Sequence, residues 1–177
     1  MNIFLIGYRC SGKTSVGRQL AETLNWSFAD TDELIVRQVK ASIAAFVEQH
    51  GWPAFRAKEC DALAHICLQN RQVVATGGGI VLDPHNIRRM KERGWVVWLR
   101  VRPETVLRRM HGDARTGAFR PALTAQDMEV EVRETLNQRM FRYRQAMDFV
   151  IDSDRLTISG ICDVILKQLH RSFLLDN

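Results

Sequence analysis

A glycine loop near the start of the chain constrains the fold more than any other feature. Residues 7–14 read Gly-Tyr-Arg-Cys-Ser-Gly-Lys-Thr, with the spacing G-x-x-x-x-G-K-[ST] of a phosphate-binding loop. The apolar run Ile3–Ile6 before it predicts a buried strand, and apolar residues at helical spacing follow it. A glycine turn that merely precedes a lysine is the alternative, but the flanking strand and helix favour an anion cradle.

The loop predicts how a nucleotide would be bound. Gly7 and Gly12 allow backbone angles that bring the main chain close to a ligand. Successive N–H groups at the start of the following helix would then face the phosphates. The residues expected to contact nucleotide here are Cys10, Ser11, Gly12, Lys13, Thr14 and Ser15. Among them, Lys13 supplies a charge for the outer phosphates, and the Thr14 hydroxyl is a ligand for Mg²⁺.

Composition excludes several classes of protein. A length of 177 residues predicts one domain, residues 1–177, and no apolar stretch approaches the ~20 residues that span a bilayer. The four cysteines lack C-x-x-C spacing and suit reduced thiols, so we expect a cytoplasmic protein that does not bind membranes. The net charge is +5, and 20 of the 25 cationic residues are arginine, which suits phosphate and carboxylate binding. The sequence contains no stripe of basic residues interleaved with aromatic ones, which is the pattern that would indicate nucleic-acid binding.

Strands and helices alternate along the whole chain. This order predicts an α/β fold with a parallel, right-handed wound sheet flanked by helices. The predicted strands are Ile3–Ile6, Ser27–Asp30, Gln72–Thr76, Trp95–Leu99 and Asp148–Ile151.

Two carboxylates, Asp30 and Asp32, lie at the end of the second predicted strand. Asp30 is a candidate to hold Mg²⁺ through water, and Asp32 is a candidate to accept a proton or hydrogen bond from a substrate hydroxyl. Both residues would also suit the cap of the next helix, and a cap and a site are compatible.

Arg56 and the run Gly77–Gly79 are two further candidates for binding an acceptor. Arg56 and Glu59 share a helix face, although the spacing alone leaves a solvent-exposed ion pair open. Gly77, Gly78 and Gly79 follow the third predicted strand, where ligands bind in open α/β sheets. A flexible linker is the alternative for the glycines, but apolar runs on both sides argue against it.

A polar segment, 111–124, interrupts the pattern and holds Arg115 and Arg120. Such a segment inside a small domain is usually functional, so we interpret it as a lid whose arginine stabilises charge on a transferring phosphoryl group. A surface loop is the alternative. The long helix predicted after it, Gln126–Ala146, includes Arg139, which the pattern does not distinguish from its neighbours.

These residues together predict a small kinase that uses ATP and Mg²⁺. The guanine-selective sequence N-K-x-D is absent, which disfavours a GTPase switch. Asp32 would orient the acceptor hydroxyl and Arg56 would bind an acid. A gluconate-type kinase, a nucleoside monophosphate kinase and a non-catalytic nucleotide-binding regulator remain alternatives.

The chain resembles the shikimate kinases over nearly all its length. The matching pieces, in order, are GKTSVGRQLA, FADTD, AFRAKE, VVATGGGIV, FRPAL and RMFRY before a final Asp-Ser. The resemblance implies a five-stranded parallel sheet of the nucleoside-monophosphate-kinase type with a lid, and acceptor-binding helices at about 32–62. It implies transfer of the ATP γ-phosphate to the 3-hydroxyl of shikimate in aromatic amino-acid biosynthesis. We expect a monomer.

The resemblance also implies roles for individual residues. Asp32 would contact the shikimate hydroxyls and act as the base, while Arg56 and Arg139 would hold the carboxylate, with backbone from Gly77–Gly79. On the nucleotide side, Arg120 would face ATP from the lid, and Arg109 and the Asp152–Ser153 turn would flank adenine. Thr14 and Asp30 would serve Mg²⁺. The chain departs from the family in Lys40–Ala45, which lacks a usual Gly and Glu, and in Tyr8-Arg9 of the loop.

Overall fold

Five parallel strands form a single sheet at the centre of the molecule. The structure is a computed structural model, and it describes residues 1–112 and 127–173. The strand order is β2-β3-β1-β4-β5, and every neighbouring pair is parallel. The strands are β1 (Asn2–Ile6), β2 (Ser27–Asp30), β3 (Gln72–Ala75), β4 (Gly94–Arg100) and β5 (Phe149–Asp152).

Helices connect the strands, as the alternating pattern predicts. Within the described residues they are α1 (Lys13–Leu24), α2 (Thr31–Val39), α3 (Ile43–Ile66), α4 (Pro84–Arg93), α5 (Pro103–Gly112), α6 (Met128–Ala146) and α7 (Ile158–Phe173). A 3₁₀ turn, Ile80–Leu82, follows the glycine run. Helix α3 breaks at Gly51, where φ is 77° and ψ is 166°, so it consists of two helical stretches, and Pro53 lies at the start of the second.

The central strand β1 buries side chains on both of its faces. Ile3 and Leu5 pack with residues of α1 and α7, among them Val16, Leu20, Ile161 and Ile165. Phe4 and Ile6 point the other way because side chains alternate along a strand, and they pack with residues of α3, α4 and α6, among them Leu63, Met90 and Tyr143. Continuous apolar strands covered on both faces are typical of a parallel sheet.

This topology brings three loops to one edge of the sheet. The glycine loop follows β1, the Asp30–Asp32 segment begins at the last residue of β2, and Gly77–Gly79 follow β3. These three strands are neighbours in the sheet. The carboxyl edge of the sheet is where ligands bind in open α/β folds. The predicted candidates from three distant parts of the sequence therefore lie side by side.

Helix α5 extends into the start of the predicted lid segment, 111–124. His111 and Gly112 form the end of α5, and the rest of the predicted segment, with Arg115 and Arg120, lies outside the described residues. No helix of the described ranges 1–112 and 127–173 has the length and apolar character needed to cross a membrane.

Candidate active site

The phosphate loop joins β1 to α1 in a backbone shape that few residues adopt. Gly7 has φ 145°, Gly12 has φ 95°, and Cys10 between them has φ 60°. A side chain at Gly7 would also meet the Leu99 carbonyl oxygen, 2.6 Å from the position of its Cβ. Gly12 caps α1 without a side-chain hydrogen bond from the described residues, which leaves the N-terminal amides of the helix for an anion.

Lys13 is buried in the loop, with a side chain that folds back over it. Its ammonium donates to the carbonyl oxygens of Gly7 and Tyr8, at 2.9 and 2.8 Å, and to the Ser11 hydroxyl at 3.3 Å. A positive charge is thus held against the backbone of the phosphate loop. Ser15, on the first turn of α1, is exposed.

Thr14 and Asp30 bring a hydroxyl and a carboxylate together. The Thr14 hydroxyl donates to Oδ2 of Asp30 at 2.9 Å. Oδ1 of Asp30 accepts from the amides of Asp32 and Glu33, so Asp30 is the N-cap of α2. The cap and the predicted site residue are therefore one carboxylate, whose two oxygens do different work.

A cleft of about 460 Å³ lies beside the phosphate loop. Charged and polar groups from four elements line it together with an apolar wall: Tyr8, Arg9, Asp32, Ile43, Trp52, Phe55, Arg56, Glu59, Gly77, Gly78, Gly79 and Arg139. The structure thus brings Asp32, Arg56 and Arg139 to one cavity, and the loop forms part of its wall. Ile43 belongs to the segment that departs from the family pattern, and it fills its place in the wall with an apolar side chain.

Arg56 and Glu59 form an ion pair on α3. The Arg56 guanidinium donates to Oε2 of Glu59, and the Glu59 side chain is only 2% exposed. The guanidinium also lies over the rings of Trp52 and Phe55, 5.0 and 5.5 Å from their centroids. The solvent-exposed pair that the spacing left open is therefore excluded, because Glu59 is buried.

The Glu59 carboxyl lies next to Asp32 at the glycine turn. A Cβ on Gly77 would meet Oε1 of Glu59 and would lie 2.7 Å from Oδ1 of Asp32, so only glycine fits between the two carboxyl groups. Burial raises the pKa of Glu59 to about 7, with Arg56 opposing the rise and the nearby Asp32 charge adding to it. Oε1 of Glu59 has no hydrogen-bond partner in the described part of the chain. The amide of Gly77 donates to the Thr31 hydroxyl at 2.8 Å, which ties the turn to α2.

The carbonyl oxygen of Gly78 accepts hydrogen bonds from two side chains of α6. Arg139 and Tyr143 donate to this oxygen at 3.1 and 2.7 Å. The Tyr143 ring stacks on Trp98 of β4, with centroids 5.5 Å apart. Full burial raises the pKa of Tyr143 to about 12, so the hydroxyl remains a donor. A Cβ on Gly79 would lie 2.7 Å from Nη2 of Arg56, so the turn also packs against the second arginine.

Arg109 bridges the phosphate loop and the turn after β5. Its two terminal nitrogens donate to the carbonyl oxygens of Cys10 and Ser153, each at 2.8 Å. The predicted adenine-flanking groups, Arg109 and the Asp152–Ser153 turn, are thus neighbours at the edge of the loop. Arg120 lies outside the described residues, and its role remains a prediction.

Polar groups in or beside the cavity that the predicted site omitted include Tyr8, Arg9, Glu59, Glu131 and the hydroxyl of Tyr143. The sequence holds a signal for Glu59, in its spacing from Arg56, and a second signal for Glu131 and Tyr143. Glu131, Thr135, Arg139 and Tyr143 recur every fourth residue of α6 and are all buried, so they form one polar stripe. Such a stripe of polar residues on a buried helix face predicts a binding surface.

The fold and the site define a P-loop kinase of a small acid, because a phosphate loop, two arginines and a carboxylate line one cavity. The family model for shikimate kinase matches residues 9–170 of the chain. The chain therefore belongs to the shikimate kinase family, and it is an enzyme, a kinase of shikimate.

Individual relatives agree with this family. The chain is 41% identical over 177 residues to the shikimate kinase of Syntrophus aciditrophicus, covering 96% of this chain and 91% of that one. It is 37% identical over 171 residues to shikimate kinase 2 of Sodalis glossinidius, covering 97% of both. The solved shikimate kinase of Acinetobacter baumannii in complex with shikimate is similar at a TM-score of 0.91 and 33% identity, over 98% of this chain and 94% of that one.

A more distant neighbour shows the shared fold alone. The solved gluconokinase of Sinorhizobium meliloti has a TM-score of 0.60 at 20% identity, over 96% of this chain and 91% of that one.

Proposed function

We propose that the chain transfers the γ-phosphate of ATP to the 3-hydroxyl of shikimate, in the step of aromatic amino-acid biosynthesis that this family performs. The observation that carries the proposal is that Asp32, Arg56 and Arg139 line one cavity whose wall includes the phosphate loop. An acceptor in this cavity would lie next to the terminal phosphate of a nucleotide bound in the loop.

The arginines hold the carboxylate of the acceptor. Arg56 is already paired with Glu59, whereas Arg139 makes no ion pair with a carboxylate among the described residues. Arg139 therefore has charge available for an incoming acid, and Arg56 adds a second planar donor. The backbone of Gly77–Gly79 completes the floor of the pocket, because no Cβ separates it from the ring of the acceptor.

Asp32 is the proposed partner of the acceptor hydroxyl. It lies in the first turn of α2, half-buried on the cavity wall. There it orients the 3-hydroxyl and takes its proton as the bond to phosphorus forms.

The phosphate loop and Lys13 grip the nucleotide. The loop amides bind the phosphates, and the Lys13 ammonium leaves its carbonyl partners to follow the γ-phosphate. Alignment of two bound reactants can supply roughly 7–11 kcal/mol of barrier reduction, so holding both ends is the main catalytic task. Arg109 supports the loop from outside, and Arg120 is proposed to add charge from the lid.

Thr14 and Asp30 suit Mg²⁺. A hydroxyl and a carboxylate oxygen 2.9 Å apart are hard oxygen donors, and Mg²⁺ needs few protein ligands because water and phosphate supply the rest. When bound, Mg²⁺ would neutralise charge on the β- and γ-phosphates.

We also propose a monomer that acts in the cytoplasm. All four cysteines are free thiols, which supports a reducing compartment. Sedimentation velocity at assay concentration tests the monomer.

An acceptor panel tests the proposed function. Release of ADP is measured with shikimate, gluconate and nucleoside monophosphates as acceptors, and ¹³C NMR of the product locates the phosphate. We expect turnover with shikimate and a phosphate on the 3-oxygen. Turnover confined to gluconate or to nucleotides would overturn the proposal, as would a phosphate on another oxygen.

A further inference from the structure

The ion pair between Arg9 and Glu131 joins the phosphate loop to α6. The Arg9 guanidinium donates to Oε1 of Glu131, 122 residues away in sequence, and the two side chains are 10% and 3% exposed. Neither takes part in the phosphoryl transfer described above. Removing two charges from water costs about as much as their attraction returns, so a buried pair is weak grounds for stability. The best-attested use of such a pair is to fix the register of two elements.

Both ends of the pair belong to elements that carry reactant-binding groups. Arg9 is part of the phosphate loop and lines the acceptor cavity. Glu131 begins the polar stripe of α6 that continues through Arg139 and ends at Tyr143. The pair therefore links the surface that binds nucleotide to the helix that binds the acceptor.

Direct contacts connect the pair to the acceptor pocket. The guanidinium carbons of Arg9 and Arg139 lie 5.4 and 6.0 Å from the centroid of the Tyr8 ring. A Cβ on Gly78 would lie 3.4 Å from the Gly7 oxygen and 3.5 Å from the Arg9 nitrogen, so the glycine turn rests against the loop. A shift of Arg9 would thus be passed to Tyr8, to Arg139 and to Gly78.

We propose that Arg9 and Glu131 are positioning residues, which hold the phosphate loop and α6 in the register that aligns acceptor and γ-phosphate. This inference rests on the proposed function. Misplacement of reacting atoms by about 1 Å can cost on the order of 100-fold in rate. The pair therefore acts on kcat through alignment, while ATP affinity, which depends on the loop amides, stays nearly constant.

The test separates alignment from stability with an apolar replacement of the pair. The double variant Arg9→Met/Glu131→Leu removes both charges of the pair, so neither is left buried without the other, and it is expected to fold with a melting temperature close to that of the parent chain. Glu131→Gln and Arg9→Lys are measured beside it. Glu129→Gln is the matched control, because Glu129 lies on the same helix in an exposed pair with Arg133. For each variant, kcat, the KM for shikimate, the Kd for ATP and the melting temperature are determined.

We expect kcat of the double variant to fall about 10- to 100-fold while its Kd for ATP and melting temperature are kept. Glu131→Gln should lose kcat as well, Arg9→Lys should keep more activity than the double variant because it retains a cation opposite Glu131, and Glu129→Gln should match the parent. A folded double variant with parental kcat would overturn this inference alone. Failure of the parent chain to phosphorylate shikimate would overturn the proposed function and this inference with it.

Discussion

Arg139 and Tyr143, one turn apart on α6, donate hydrogen bonds to the same atom, the carbonyl oxygen of Gly78, at 3.1 and 2.7 Å. The Gly77–Gly79 turn, which lines the acceptor pocket, is therefore attached to α6, the helix that supplies one of the two arginines of that pocket. Since a carbonyl oxygen has two lone pairs, both donors are satisfied at once. This shared atom fixes the guanidinium of Arg139 relative to the pocket floor before any acceptor binds.

Tyr143→Phe removes one of these two hydrogen bonds and keeps the ring. A buried hydrogen bond contributes about 1 kcal/mol, and Gly78 keeps its bond to Arg139, so we expect a loss of roughly 1 kcal/mol in the free energy of unfolding. The KM for shikimate should rise about fivefold, because the turn is held less firmly. Urea unfolding and steady-state kinetics measure the two effects. An unchanged KM would show that the hydroxyl does not position the turn.

Arg139→Ala is expected to raise the KM for shikimate by about 10- to 100-fold, because a charge-assisted hydrogen bond to the acid is lost. The Kd for ATP and the fold should be kept. Arg144→Ala is the matched control, since Arg144 lies on the same helix with its side chain exposed. An effect of equal size in the control, or a loss confined to ATP binding, would contradict a role for Arg139 in holding the carboxylate.

The fold and the nucleotide half of the site could be predicted because their signals are local. Strand, glycine loop and helix follow one another directly, so Gly7, Lys13 and Thr14 could be assigned a place from spacing alone. Asp30 and Asp32 follow a strand that the sequence marks clearly. The sheet then brings together the ends of neighbouring strands, which is a rule of topology rather than of any one residue.

The acceptor half could be predicted only in part because its contacts are distant in sequence. Arg139 lies among several arginines of one helix, and only packing decides that it is buried, at 8% exposure, while Arg144 is exposed. The Arg9–Glu131 pair joins residues with no local relation, so no spacing rule indicates it. Glu59 had a local signal in its spacing from Arg56, but the spacing carries no information about burial.

Asp32→Ala and Lys13→Ala should each lower kcat by about 100- to 10,000-fold, for different reasons. Asp32 acts on the acceptor, so its loss should leave the Kd for ATP nearly unchanged, whereas loss of Lys13 should also weaken ATP binding. Glu33→Gln is the control for Asp32, because Glu33 follows it on α2 in an exposed pair with Arg18. Calorimetric titration of each variant with ATP measures this Kd. Loss of ATP affinity in Asp32→Ala would place this carboxylate on the nucleotide side.

The pH dependence of stability should carry a contribution from Glu59. Its pKa is raised by burial from an ordinary value of 4.5 to about 7 in the folded chain. Between these two values the folded state binds more protons than the unfolded state, so the free energy of unfolding falls as pH rises through this window. The stabilisation from the protonated carboxyl is complete below the unfolded pKa and is lost above about pH 7. The shift corresponds to about 3 kcal/mol at most.

Glu59→Gln removes this titration and keeps the shape of the side chain. We expect the parent chain to lose stability relative to the variant between about pH 5 and 7.5, by up to about 3 kcal/mol, because only the parent must bury a charge at the higher pH. Urea unfolding at a series of pH values measures the difference. Glu48→Gln is the matched control on α3, since Glu48 is exposed and should follow the parent at every pH. Parallel pH profiles for the parent and Glu59→Gln would mean that Glu59 does not titrate in this window, and that Arg56 holds it as a carboxylate throughout.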